Sequence, residues 1–161
     1  MRWWGALLVL LAGGLTGVSV AESARRTVCL AEESERMTRL FHSLVCCRRL
    51  PLPEAVAGLK EAFPLRFPEP EELHRSLQDM SFAEIWADTV REMGLPARAE
   101  EILILLGIEL SAGEEPERCF APAFSELDGF KKACAAREKE LVRLSPVLGL
   151  SAGALLAVVF L

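Results

Sequence analysis

Two apolar runs, Trp3 to Ala21 (19 residues) and Leu144 to Leu161 (18 residues), carry no charged side chain and bracket a stretch of about 120 residues dense in charge. At 1.5 Å per helical residue each run reaches roughly 27–28 Å, close to the ~30 Å of a bilayer's hydrocarbon layer. Between them the apolar positions recur with a helical period and strand-like alternation is nearly absent. From Glu22 to Arg49 no proline or glycine interrupts the chain. There Leu30, Met37, Leu40, Phe41, Leu44 and Val45 form one face, while Glu32, Glu33, Glu35 and Arg36 point elsewhere. The pattern predicts one rod continuing out of the first apolar run.

Proline and glycine divide the rest of the central stretch. Pro51 and Pro53 end the long helix, and Pro53 suits the first turn of the next, where its missing N–H costs nothing. That helix runs to about Phe63 with Ala55, Val56, Leu59 and Phe63 inward, and Pro64, Pro68 and Pro70 form a stiff link. A short helix covers Glu71 to Leu77. Ser81-Phe82-Ala83-Glu84 is a capping box that opens a helix carrying Phe82, Ile85, Trp86, Thr89, Val90 and Met93 and ending at Gly94. Pro96 starts another, whose Ile102–Leu106 run is apolar on several faces and so predicted to be central; Ser111-Ala112-Gly113 breaks it. The last helix begins near Glu114–Glu117, where acidic side chains favour a helix N-terminus. It runs through Phe120, Phe124, Leu127, Phe130, Cys134 and Leu141 into the second apolar run, with Pro122 expected to kink it or to mark a later start. The expected fold is all-α: a helical bundle at residues 22–143 whose first and last helices extend from transmembrane helices at 1–21 and 144–161.

Charge orients this arrangement. All 23 acidic residues and every basic residue except Arg2 fall between the two runs. Arg25, Arg26, Arg36, Arg39, Lys131, Lys132, Arg137, Lys139 and Arg143 lie near the spans, and positive charge at span ends stays cytoplasmic. The central domain is therefore expected in the cytoplasm, with membrane lipid around both ends. A cleavable signal peptide is the rival reading of the first run: Arg2 is a minimal positive start, Leu7–Ala12 an apolar centre and Ser19-Val20-Ala21 a small-residue cleavage site. The protein would then be an exported helical binding module with a C-terminal anchor. The run's length and the interfacial Trp3-Trp4 pair favour the span. The second run read as a buried core helix is disfavoured because Leu155–Leu161 is apolar on every face. Gly13-xxx-Gly17 and Gly149-xxx-Gly153 each put two glycines on one helix face, where spans can pack closely; glycine is also simply frequent in membrane helices.

The central stretch holds 17 basic against 23 acidic residues, which excludes nucleic acid as a main partner because phosphate binding needs a basic surface. Five cysteines (Cys29, Cys46, Cys47, Cys119, Cys134), an odd number with two adjacent, do not form a tidy disulfide framework and fit reduced, packed thiols. His42, Cys46 and Cys47, at i, i+4 and i+5, could converge as metal ligands, yet neither a fourth ligand nor CxxC spacing accompanies them. Packed thiols beside a half-exposed imidazole are expected instead. No phosphate loop, HExxH, GxSxG or Asp-rich motif occurs, and the Glu71-Glu72 and Glu114-Glu115 pairs read as solvated helix starts. The sequence therefore points to a non-enzyme without cofactor, metal or small-molecule substrate. Trp86 is a candidate interface anchor or, on its apolar stripe, a core residue.

In order along the chain, several segments resemble the stage III sporulation protein AB family of endospore-forming bacteria. Gly5-Ala6-Leu7-Leu8 with Leu15-Thr16-Gly17 resembles its opening span, and Leu50-Pro51-Leu52-Pro53-Glu54-Ala55 its Pro-Leu-Pro-Glu-Ala turn. Phe82-Ala83-Glu84-Ile85-Trp86 is similar to its Trp-containing helix. Glu101-Ile102-Leu103 with Gly107 and Leu110 resembles the next helix, and Leu148-Gly149 with Gly153 the start of its last span. The chain departs from the family at Leu44-Val45, where a Glu-Ile pair is usual, and in the polar segment at Leu110-Ser111-Ala112-Gly113-Glu114 to Arg118. The resemblance implies a membrane-anchored, non-enzymatic part of a channel or secretion-like complex between mother cell and forespore. Its helical domain would be similar to the cytoplasmic domains of type II secretion F proteins, platforms beside an assembly ATPase. The implied partners are the other stage III sporulation A proteins, including the ATPase.

Overall fold

Proline at helix starts and glycine at helix ends set most of the boundaries in the computed structural model, which describes residues 2–160 and, within them, the side chains of residue 19 and of 21–143. Six helices are formed: α1 Arg2–His42, α2 Leu52–Ala62, α3 Pro70–Ser76, α4 Phe82–Glu92, α5 Ala97–Ser111 and α6 Pro116–Phe160, with no strand among the described residues. Proline stands at the second position of α2 and at the first of α3. Gly94 and Gly113, with φ of 63° and 79°, follow the ends of α4 and α5 in the left-handed region that other residues avoid. The capping box is present: the Ser81 hydroxyl accepts from the Glu84 N–H, and the Ser81 N–H donates to the Glu84 carboxylate at 2.9 Å.

The chain divides into two compact units, Leu30–Lys131 and the paired ends Met1–Cys29 and Lys132–Leu161. In the second of these the described part is helical and carries an ion pair between Arg25 and Glu138 at 3.4 Å. The two apolar runs, with Gly13, Gly17, Gly149 and Gly153, lie outside the described side chains apart from Ser19 and Ala21. Among the described residues no helix is long and apolar enough to cross a membrane.

Leu30–Lys131 is built around an aromatic centre. Phe41 on α1 stacks on Trp86 of α4 (centroids 4.8 Å apart, 15° between planes) and meets Phe120 of α6 edge-on at 5.7 Å. Phe82 and Phe67 complete the cluster around the indole. Leu59, Leu103, Leu106 and Leu127 are fully buried around it, and each such side chain contributes about 1.5–3 kcal/mol of burial.

Four local expectations are corrected. The first helix does not stay α-helical to Arg49: it widens into a π-helical turn at Ser43–Cys47, where the Arg48 N–H donates to the Ser43 carbonyl at 3.0 Å. The Leu50 N–H then reaches back to the Leu44 carbonyl at 3.1 Å, with Arg49 at φ 54° in the place glycine usually takes. Leu44 and Val45 are both buried in this turn. Secondly, Glu33 and Glu35 do not simply face solvent. Glu35 is 8% exposed and binds Lys131 at 2.5 Å and Arg39 at 2.6 Å, while Glu33 receives two bonds from Arg66. Thirdly, α6 is helical from Pro116 straight through Pro122, which excludes a later start. Pro122 is exposed, so the carbonyl it leaves without a donor is open to water. Lastly, the Ile102–Leu106 run is central only in part, since Leu105 is 53% exposed.

Candidate docking face

Trp86 fixes how α5 is turned. Its indole N–H donates to the Leu103 carbonyl at 2.6 Å, and its ring lies against Gly107 so closely that a methyl there would sit 2.6 Å from Nε1 and 2.7 Å from Cγ. With Ile102, Leu103, Leu106 and Leu110 buried, a 100° step per residue leaves Glu101, Leu105, Ile108 and Ala112 on the opposite face, with half-buried Glu109 at its edge. Leu105 and Ile108, 53% and 48% exposed, form an apolar pair three residues apart on that face. Arg98, at its start, is held by Glu101 at 3.0 Å and by Glu126 at 2.6 Å. Beyond the pair come Glu109, Glu114, Glu115 and Glu117 against one cation, Arg118, which pairs with Glu115. This negative field reaches inward: burial first, then the Glu109 and Glu114 carboxylates, push the Cys119 thiol up from its ordinary pKa.

A second apolar side chain is held in water by a braced loop. Arg66 donates to both Glu33 carboxylate oxygens (3.1 and 2.9 Å) and to the Met93 carbonyl (2.6 Å). Lys60 donates to the Phe67 carbonyl at 2.8 Å, and Phe67 is buried. Leu65, between these anchors, is 98% exposed beside a hollow of about 420 Å³. A larger open groove of about 600 Å³ runs between α1 and α2, lined by Leu40, Leu44, Ala57 and Gly58 with Arg48 and Glu54 at its rim.

The residues singled out from the sequence fare differently. Trp86 is 2% exposed and belongs to the core. His42, Cys46 and Cys47 do not form a metal-holding group among the described residues. His42 packs edge-on to Phe120 and Phe124 at 5.1 and 5.5 Å, Cys46 is half-buried and Cys47 is exposed. Burial, then Glu117, Cys47 and Cys119, raise the Cys46 pKa, the reverse of what a metal-binding thiolate needs. Among the described residues no three His, Cys, Asp or Glu side chains are grouped to hold a metal. The α5 face was readable in principle: on a helical wheel Leu105 and Ile108 lie opposite Leu103 and Leu106–Gly107. The exposure of Leu65 carries no such local signal.

The fold thus defines a class, an all-α bundle with apolar side chains held outward on a helix face and on a braced loop. The chain belongs to the stage III sporulation protein AB family, whose profile matches residues 2–161, and is thereby a sporulation protein. No curated protein and no solved structure gives a significant match.

Proposed function

We propose that this protein is a non-enzymatic scaffold of a sporulation channel or secretion-like complex between mother cell and forespore. Residues 1–21 and 144–161 act as transmembrane helices in the mother-cell membrane facing the forespore, and the body at 22–143 lies in the cytoplasm. The body docks an ATPase or neighbouring channel subunits, the other stage III sporulation A proteins. The observation that carries this reading is the family match, which extends over both apolar runs as well as the body. Outward apolar side chains on a bundle without a metal-holding cluster among its described residues fit the same role. Anchoring at both ends restricts the body's orientation and raises its effective concentration at an assembly site.

Reporter fusions within the body and at the C-terminus test the topology, and co-purification from sporulating cells tests the partnership. The expected result is a cytoplasmic body, an extracytoplasmic C-terminus and retention of other stage III sporulation A proteins. A mature chain starting at Glu22 would replace the scaffold with an exported, C-terminally anchored binding module. A protein released from membranes by a carbonate wash would end the scaffold reading outright.

A further inference from the structure

We propose that the outward face of α5 is the seat of a basic amphipathic helix from a partner protein, with Leu105 and Ile108 as its apolar contacts. This rests on the scaffold reading and specifies the chemistry of one docking contact. The indole of Trp86 and the absence of a side chain at Gly107 lock α5 in rotation, so the exposure of these two residues is a fixed property of the helix. Residues i and i+3 on one helix face are the spacing at which a second helix inserts apolar side chains.

Charge selects the partner. The unit Leu30–Lys131 holds 20 acidic and 11 basic residues, a net charge of −9. Around the apolar pair the imbalance sharpens. Glu101 lies one turn before Leu105 and Glu109 one turn after it, and Glu114, Glu115 and Glu117 follow the end of α5. The two cations of this region are already engaged, Arg98 by Glu101 and Glu126, and Arg118 by Glu115. The α5 C-terminus adds the negative end of the helix dipole, which also favours cations. A partner helix with Lys or Arg flanking its apolar stripe satisfies both demands. An acidic helix, or a second copy of this acidic body, meets repulsion around the same two contacts.

The test uses the full chain, co-produced with the other stage III sporulation A proteins. A photoreactive benzoylphenylalanine replaces Leu105 or Ile108 in turn, with Asp88, exposed on α4, as the control position. Crosslinked peptides are identified by mass spectrometry. Positions 105 and 108 should give adducts with a partner segment of net positive charge whose apolar residues recur every three or four positions. Position 88 should not. Combined Glu114→Lys and Glu117→Lys, both on exposed residues, should lower the adduct yield about fivefold. Adducts on an acidic or neutral segment or on a second copy would overturn the proposal. So would a yield indifferent to the charge reversals, or a complex that co-purifies without adducts at 105 and 108. Failure of any partner to co-purify would overturn the scaffold reading along with it.

Discussion

Replacing Gly107 with alanine adds one methyl group where the Trp86 indole lies on α5. The new carbon would stand 2.6 Å from Nε1 and 2.7 Å from Cγ, against about 3.5–4.0 Å for an optimal carbon contact. The ring is not a flexible chain end that can swing aside. It is stacked on Phe41 at 4.8 Å and tied to the Leu103 carbonyl at 2.6 Å. Relief comes either from moving the indole, which strands a buried N–H, or from parting α4 and α5, which opens the core. Either route costs roughly 2–3 kcal/mol. Alanine recovers ~1 kcal/mol of helix propensity, leaving a net loss of about 1–2 kcal/mol. Two other glycines calibrate the argument. At Gly58 a methyl meets only the Leu44 side-chain end, at 3.0 Å, and at Gly129 it meets nothing within 4 Å. Gly58→Ala should be close to neutral, and Gly129→Ala should stabilise by up to ~1 kcal/mol. The assay is urea unfolding of the full chain in mild detergent with Trp3 and Trp4 replaced by Phe, so that Trp86 alone reports. A Gly107→Ala protein as stable as the parent, or the same response at all three glycines, would refute the reasoning.

Three further outcomes are expected. Arg66→Ala should destabilise by about 1–2 kcal/mol, because it strands half-buried Glu33 and the Met93 carbonyl; hydrogen exchange should rise chiefly across residues 63–69, and a rise spread evenly over the bundle would contradict the bracing role. Arg49→Gly should stabilise by about 0.5–1 kcal/mol in the same unfolding assay, since glycine adopts the φ of 54° found there without steric cost. The Lys131 ammonium, then Arg39, hold the Glu35 carboxyl below its ordinary pKa. A folded-state pKa below the unfolded value means that this contribution is complete above the ordinary glutamate pKa of about 4.3 and is lost as pH falls through the lower folded value; acid titration of stability should therefore show a step below pH ~4.3 that Glu35→Gln removes.

How much of the fold is legible in the sequence depends on the range of the forces involved. The capping box, the proline start of α2 and the glycine ends of α4 and α5 are settled within three or four residues, and they stand where the pattern puts them; Pro70, read as part of a stiff link, instead opens α3. The buried faces of α2 and α4 come from period alone. The surroundings of Glu33 and Glu35 are not readable, because their partners Arg66 and Lys131 are 33 and 96 residues away. The π-helical turn escapes because no residue of Ser43–Cys47 forbids an α-helix, and the sequence offers no local signal for the wider pairing. Leu105 reads as interior when the five-residue apolar run is taken by itself, because that run has no polar side; the wheel of the whole helix puts it outward, and the Trp86–Gly107 contact holds it there. Leu65 is exposed because the residues on both sides of it are tied down, an outcome that its own identity does not announce.

The widened turn also marks a place where the first helix can change length. A π-helical turn accommodates an additional residue compared with the ordinary ladder. Excising Cys47, its exposed member, would let the turn close with regular i→i+4 pairing, and the chain beyond would leave from nearly the same side of the helix, because fewer residues at the tighter spacing sweep nearly the same angle. A deletion in the regular helix before it, between Leu30 and Phe41, would instead turn everything after it by about 100° around the axis and carry the buried face away from the core.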